Sequence, residues 1–102
     1  RRPAAEGKYG VMLIDGPMDV KTACDSESAR IKGLTSEVTG NADILIFPNI
    51  EAANTFYKTI TLFAGATTAG MLCGAVATVV IASRADSAEA KMCSMLLACS
   101  LA

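Results

Sequence analysis

The sequence predicts an α/β fold, a mostly parallel sheet flanked by helices. Three apolar runs carry that prediction: 11–14, 44–47 and 79–82. Each ends in turn-forming polar residues, Asp15-Gly16-Pro17, Pro48-Asn49 and Ser83-Arg84-Ala85-Asp86, and each is followed by a helical pattern. Strand–helix alternation implies parallel strands joined by right-handed crossovers. In open sheets of this kind ligands bind beyond the carboxyl ends of the strands. Polar residues at all three exits therefore point to an enzyme.

Residues 1–8 are polar and expected to be loosely held. Tyr9 to Asp15 reads as a buried strand stopped by Gly16-Pro17. Asp19 to Gly33 is helical in tendency, with Asp25 or Ser26 able to cap a second short helix and Gly33 able to end it. After a connecting loop over 34–41, Ala42 to Phe47 reads as the second strand. Asn49 is placed to cap the next helix, with Glu51 in its first turn beside the positive end of the helix dipole. That helix should run to about Ala64, because Ile50, Ala53, Phe56-Tyr57, Ile60 and Phe63 recur at three- and four-residue steps. Ala69 to Cys73 and Thr78 to Ala82 read as short strands separated by Gly74-Ala75. A last helix begins at Asp86, where Asp86 and Glu89 have capping-box spacing, and Met92, Met95-Leu96, Cys99 and Ala102 form its expected buried stripe.

Bulk properties narrow the function. The chain has 102 residues and a formal net charge of -1, with two tyrosines, three phenylalanines and no tryptophan. It offers no basic field for nucleic acid. Cys24, Cys73, Cys93 and Cys99 show neither CxxC pairing nor metal-ligand spacing, so reduced core thiols of a cytoplasmic protein are expected and no metal is implied. The absence of histidine removes Ser-His and Cys-His mechanisms and leaves acid–base work to carboxylates, lysine or the substrate. Residues 59–83 carry no charge and include Gly70 and Gly74 at GxxxG spacing, which suggests a membrane span. Interspersed glycines and threonines make that stretch weakly apolar, and it divides more naturally into a helix end, a turn at Gly65 and buried strands.

Ser83-Arg84 is the sharpest site. It lies between a strand and a helix start, where free backbone N–H groups favour an anion, and arginine adds a fork of donors matched to phosphate. The plainer reading is a turn serine and a solvated arginine. Asp86 and Glu89 are candidate bases with an equally good capping role. Asn49, Glu51, Asn54 and Lys58 lie near one helix face and could reach a cleft, although a cap and a solvated face also account for them. Asp15 and Gly16 are either ligand contacts or an ordinary strand exit.

Taken together, Ile14-Asp15-Gly16-Pro17, the run from Ala42 to Asn54, Tyr57-Lys58 and Ser83-Arg84-Ala85-Asp86-Ser87 resemble the C-terminal part of the phosphate acetyltransferase and phosphate butyryltransferase family. The wording is closest to the butyryl branch, and the resemblance runs from about residue 9 to the end. It implies a two-domain fold related to isocitrate and isopropylmalate dehydrogenases, with 9–82 in the second α/β domain and 83–102 a terminal helix returning to the first. It implies reversible transfer of an acyl group between CoA and phosphate, with CoA as a substrate and no permanently bound cofactor. Ser83 would meet the thiol or the leaving oxygen, Arg84 the phosphate charge, and Asp86 or Glu89 could serve as base, unless the base is supplied from elsewhere. Asp15, Gly16, Asn49, Glu51, Asn54 and Lys58 would bind substrate. The chain departs from the family at Ala90, where the acetyl branch carries a catalytic aspartate, and at Ala53, where a glycine is usual.

The first residues are Arg1-Arg2-Pro3, without an initiator methionine or a signal-peptide pattern, and the chain ends within a helical pattern. It is therefore expected to be part of a longer cytoplasmic, self-associating enzyme and inactive by itself. Other readings are a different enzyme on the dehydrogenase-like fold and a non-catalytic apolar assembly or membrane module.

Overall fold

Asp19 opens the first helix because its carboxylate replaces the missing intrahelical acceptor. The Thr22 N–H donates to Asp19 Oδ1 at 3.0 Å at the start of α1 (Val20–Cys24). Asp25 does the same for α2 (Ser26–Ile31), accepting from the Ser28 N–H at 3.0 Å. Gly33 closes α2 at φ +64°, with its N–H donating to the Arg30 carbonyl at 3.0 Å. In this computed structural model the described residues are Gly7 and 10–102; the expectation for the polar start therefore lies almost wholly outside them, as does Tyr9. The chain divides into two units, Arg1–Ile46 and Phe47–Ala102.

In the first unit α1 packs against α2 through small residues. Thr22 is fully buried, and Ala23, Ser28 and Ala29 are nearly so. The Gly40 N–H donates to the Thr22 carbonyl at 2.9 Å and the Ala42 N–H to the Ala23 carbonyl at 3.1 Å. The return segment thus satisfies carbonyls at the end of α1 that a helix cannot satisfy alone.

In the second unit Asn49 caps α3 (Ile50–Phe63) as expected, its Oδ1 accepting from the Ala52 N–H at 2.8 Å. The middle of the anticipated stripe, Ala53, Phe56, Tyr57 and Ile60, is half-buried, while Ile50 and Phe63 at its ends are exposed. The Phe47 ring packs on Phe56 with centroids 5.1 Å apart. The final helix, α4 (Ala88–Ser100), is capped by Ser87, whose hydroxyl accepts from the Ala90 N–H at 3.1 Å. This corrects the capping box expected of Asp86 and Glu89. The buried face is also corrected, because Met92, Met95, Leu96 and Cys99 are exposed while Ser94 and Ala98 are buried. The helix is apolar nearly all round, so periodicity alone does not choose a face. Ser94 chooses it, accepting from the Gly70 N–H at 3.0 Å while donating to the Ala90 carbonyl at 2.8 Å.

The sheet is not formed among the described residues. The runs 11–14, 44–47 and 79–82 form no strand ladder, and the pairing present among the described residues is a single antiparallel bridge, Leu72 to Val79, with N···O 2.9 Å. A strand exists only through hydrogen bonds to a neighbour, and a parallel one needs another run beside it. Val11, Ile44, Ile46 and Ile81 accordingly remain exposed. The thiols are not core thiols: Cys24, Cys73 and Cys99 are exposed and Cys93 half-buried. Among the described residues no helix is long and apolar enough to cross a membrane.

Candidate functional site

The turn after the third apolar run is built around one carboxylate. The Ser83 N–H donates to Asp86 Oδ2 at 2.9 Å, and the Asp86 N–H donates back to the Ser83 carbonyl at 3.1 Å. This closed turn fixes the backbone that carries Ser83 and Arg84. A third bond tightens it, from the Ala85 N–H to Ser83 Oγ at 3.3 Å. The Ser83 hydroxyl therefore accepts within the turn and keeps its own proton available to donate.

Helix α3 reaches the same carboxylate from elsewhere in the sequence. Tyr57 and Lys58 are adjacent in its half-buried middle turn. The Tyr57 hydroxyl donates to Asp86 Oδ1 at 3.2 Å, and Lys58 Nζ lies 3.7 Å from the same oxygen. With the tyrosine proton directed at Asp86, the Thr68 hydroxyl at 3.2 Å is the donor in its contact with Tyr57. Lys58 Nζ also sits 4.7 Å from the Tyr57 ring centroid, a favourable cation–π position.

Asp86 is held below the usual carboxylate range. The leading cause is the Ser83 N–H bond; partial burial opposes it, and the Tyr57 hydroxyl and the charges of Lys58 and Lys91 reinforce it. Each of these donors prefers the ionised form, so Asp86 is an anchored acceptor and a weakened proton acceptor. Its side chain is only 16% exposed, against 49% for Lys58.

A cleft of about 530 Å³ adjoins the turn, lined by Tyr57, Lys58, Thr61 and Thr68 on one side and by Asp86 and Glu89 on the other. Ser83 and Arg84 do not line it. Arg84 is exposed and makes no hydrogen bond or ion pair with any described residue, so its whole guanidinium fork is open to an incoming group. Among the described residues no group of three or more His, Cys, Asp and Glu is placed to hold a metal ion.

Of the residues expected in the site, Ser83, Arg84, Asp86 and Lys58 therefore share one neighbourhood. The Asn49 side chain is engaged at the start of α3, and Glu51 and Asn54 are exposed on that helix without a polar side-chain partner among the described residues. Asp15 and Gly16 belong to the first unit, where Asp15 Oδ1 accepts from the Gly16 N–H at 2.7 Å beside a cis Gly16-Pro17 bond. Tyr57, named in the sequence only within the apolar stripe and the family resemblance, was not expected among the site residues. Lying in an apolar stripe, it reads as core, yet a tyrosine half-buried on a helix needs a partner for its hydroxyl, which is the available signal.

The family described as phosphate acetyl/butaryl transferase matches residues 4–99. Phosphate butyryltransferase of Clostridium beijerinckii is 49% identical over 92 residues, which are 90% of this chain and 30% of that protein. Phosphate acetyltransferase of Thermotoga maritima is 43% identical over 91 residues, covering 89% of this chain and 31% of its own length. A branched-chain phosphotransacylase from Enterococcus faecalis, solved by crystallography, superposes with a TM-score of 0.80 at 33% identity, over 94% of this chain and 36% of that one. The chain thus spans less than a third of the length of these two curated relatives.

Proposed function

We propose that this chain, which belongs to the phosphate acetyl/butaryl transferase family, supplies part of a site that interconverts acyl-CoA plus phosphate with acyl phosphate plus CoA. The observation that carries this reading is the pairing, on one fixed turn, of a serine hydroxyl whose proton is free with an arginine whose fork is unengaged. In the direction of acyl-CoA synthesis, the CoA thiol attacks the carbonyl carbon of the acyl phosphate. A C–S bond forms, the C–O bond to phosphate breaks, and the thiol proton passes to solvent or to the departing phosphate. Arg84 holds the phosphate charge in a bidentate fork, and Ser83 donates to the leaving oxygen. Catalysis of this type is positioning and electrostatics.

Lys58 adds a second positive charge nearby, and Glu51 and Asn54 of the same helix are the further substrate contacts of this reading. In the complete protein the three apolar runs take their places in a mainly parallel sheet, and the protein works as a cytoplasmic homo-oligomer on soluble substrates.

The test is made in the complete protein that carries this chain, following thiol release from butyryl-CoA and phosphate. Arg84→Ala is expected to lower kcat/KM by about 10²–10³-fold, the usual cost of removing a donor from a developing oxyanion, and Ser83→Ala by about tenfold or more. Rates like the parent's in both variants overturn the reading. The 102-residue chain alone is expected to show no turnover, and turnover close to that of the complete protein contradicts this.

A further inference from the structure

We infer that Asp86 is a positioning residue: with Tyr57 it clamps the Ser83-Arg84 turn to helix α3, and it does not act as the base. The inference presupposes the acyl transfer proposed above and concerns how its serine and arginine are held. Both carboxylate oxygens are engaged. Oδ2 accepts from the Ser83 N–H at 2.9 Å, and Oδ1 accepts from the Tyr57 hydroxyl at 3.2 Å with Lys58 Nζ at 3.7 Å. Tyr57 is itself fixed by the Thr68 hydroxyl at 3.2 Å. A chain of bonds therefore runs from Thr68 through Tyr57 and Asp86 to the Ser83 backbone.

Nothing comparable restrains Arg84, whose backbone direction depends on the turn that Asp86 closes. Each carboxylate oxygen accepts one hydrogen bond, from the Ser83 N–H or the Tyr57 hydroxyl, and the Lys58 ammonium lies 3.7 Å from Oδ1; all three contacts favour the ionised form and so make Asp86 a poor acceptor for a thiol proton. The turn then arrives at the substrate already oriented, which is where positioning contributes most to rate.

The two roles predict opposite behaviour for Asp86→Asn. An asparagine keeps an oxygen for the Ser83 N–H, and its NH₂ can donate to the Tyr57 oxygen, so the clamp survives. In the complete protein, with butyryl-CoA and phosphate, Asp86→Asn is expected to lose no more than about fivefold in kcat, one hydrogen bond's worth, with an unshifted pH–rate profile. Asp86→Ala removes both arms and is expected to lose about a hundredfold, the cost of an ångström-scale misplacement, with a raised KM for phosphate. Tyr57→Phe should fall between them.

If Asp86→Asn is as impaired as Asp86→Ala and the acid limb of the profile disappears, Asp86 is the base and the inference is wrong. A second measurement reads the clamp without activity, by following hydrogen exchange of the Ser83 amide. Protection should be retained in Asp86→Asn and lost in Asp86→Ala. Equal protection in the two overturns the clamp even in a protein with no transferase activity, whereas parent-like rates in Ser83→Ala and Arg84→Ala overturn the transfer reading alone.

Discussion

Two regions of this chain build turns from aspartate in nearly the same way and come to different ends. In residues 19–42, Asp19 and Asp25 each cap a helix three residues ahead, and neighbouring side chains complete them. Asp19 accepts from the Thr22 hydroxyl at 2.8 Å and from Lys32 Nζ at 2.5 Å, while Asp25 also accepts from the Ser28 hydroxyl. The donors that complete these two carboxylates all lie within the same region. At residues 83–86 the same Asp-to-backbone bond is made, but the carboxylate is completed from Tyr57 and Lys58 on another element, and Arg84 is left with no partner among the described residues. The first region uses its polar groups to stabilise itself. The second holds a loop in place while keeping donors free, the pattern expected where a ligand supplies the missing acceptor.

Disrupting the closed region should have the larger effect on stability. Gly40 has φ +77°, and a Cβ added there would lie 2.6 Å from the Ser26 Cα, a backbone atom that cannot rotate away. Gly40→Ala combines left-handed strain with overpacking and is expected to cost about 3 kcal/mol. The change should appear in hydrogen exchange as lost protection of the Ala42 amide, which donates to the Ala23 carbonyl at 3.1 Å in the native chain. Retained protection there would show that this region is not closed as tightly as its geometry states.

What the sequence made legible follows the same division. Asp25, Gly33 and Asn49 were readable because caps depend on residues three or four apart. The helix over 50–63 was readable from its apolar spacing. The cap at Ser87 was misassigned one residue early because Asp86 offers the same chemistry, and only its partners Ser83 and Tyr57 show that it is engaged elsewhere. Strands were not recoverable, since the runs 11–14 and 79–82 contain the right residues but a ladder is a property of two segments. The inward face of α4 was set by Ser94 and its bond to Gly70, a contact between residues far apart in sequence that hydrophobic periodicity does not encode. Ser83, Arg84 and Lys58 were singled out by residue type and position, whereas Tyr57 was named only within the apolar stripe and the family resemblance, and its bond to Asp86 joins residues too far apart in sequence for either to reveal.

The smallest expected effect sharpens the comparison most directly. Asp19 and Asp86 are both held below the usual carboxylate range, but by different first causes. For Asp19 it is the bond from Lys32, followed by the Thr22 backbone and hydroxyl donors; for Asp86 it is the Ser83 N–H. A carboxyl lowered in the folded state contributes its full stability above the unfolded value of about 3.9 and loses it as the pH falls through the folded value. In an acid titration of the chain followed by carboxyl carbon NMR, Asp86 should therefore protonate first and the Ser83 turn should loosen before the Asp19 cap. Salt should narrow the gap. The Lys32–Asp19 pair is exposed, with side chains 47% and 54% accessible, so about 1 M salt screens it strongly, whereas the bond from a backbone N–H to Asp86 is little affected. Asp19 should rise toward Asp86 while Asp86 moves less. An Asp19 midpoint at or above that of Asp86 at low salt, or an equal salt response in the two, would mean that the turn at 83–86 is held no differently from the caps at 19–42.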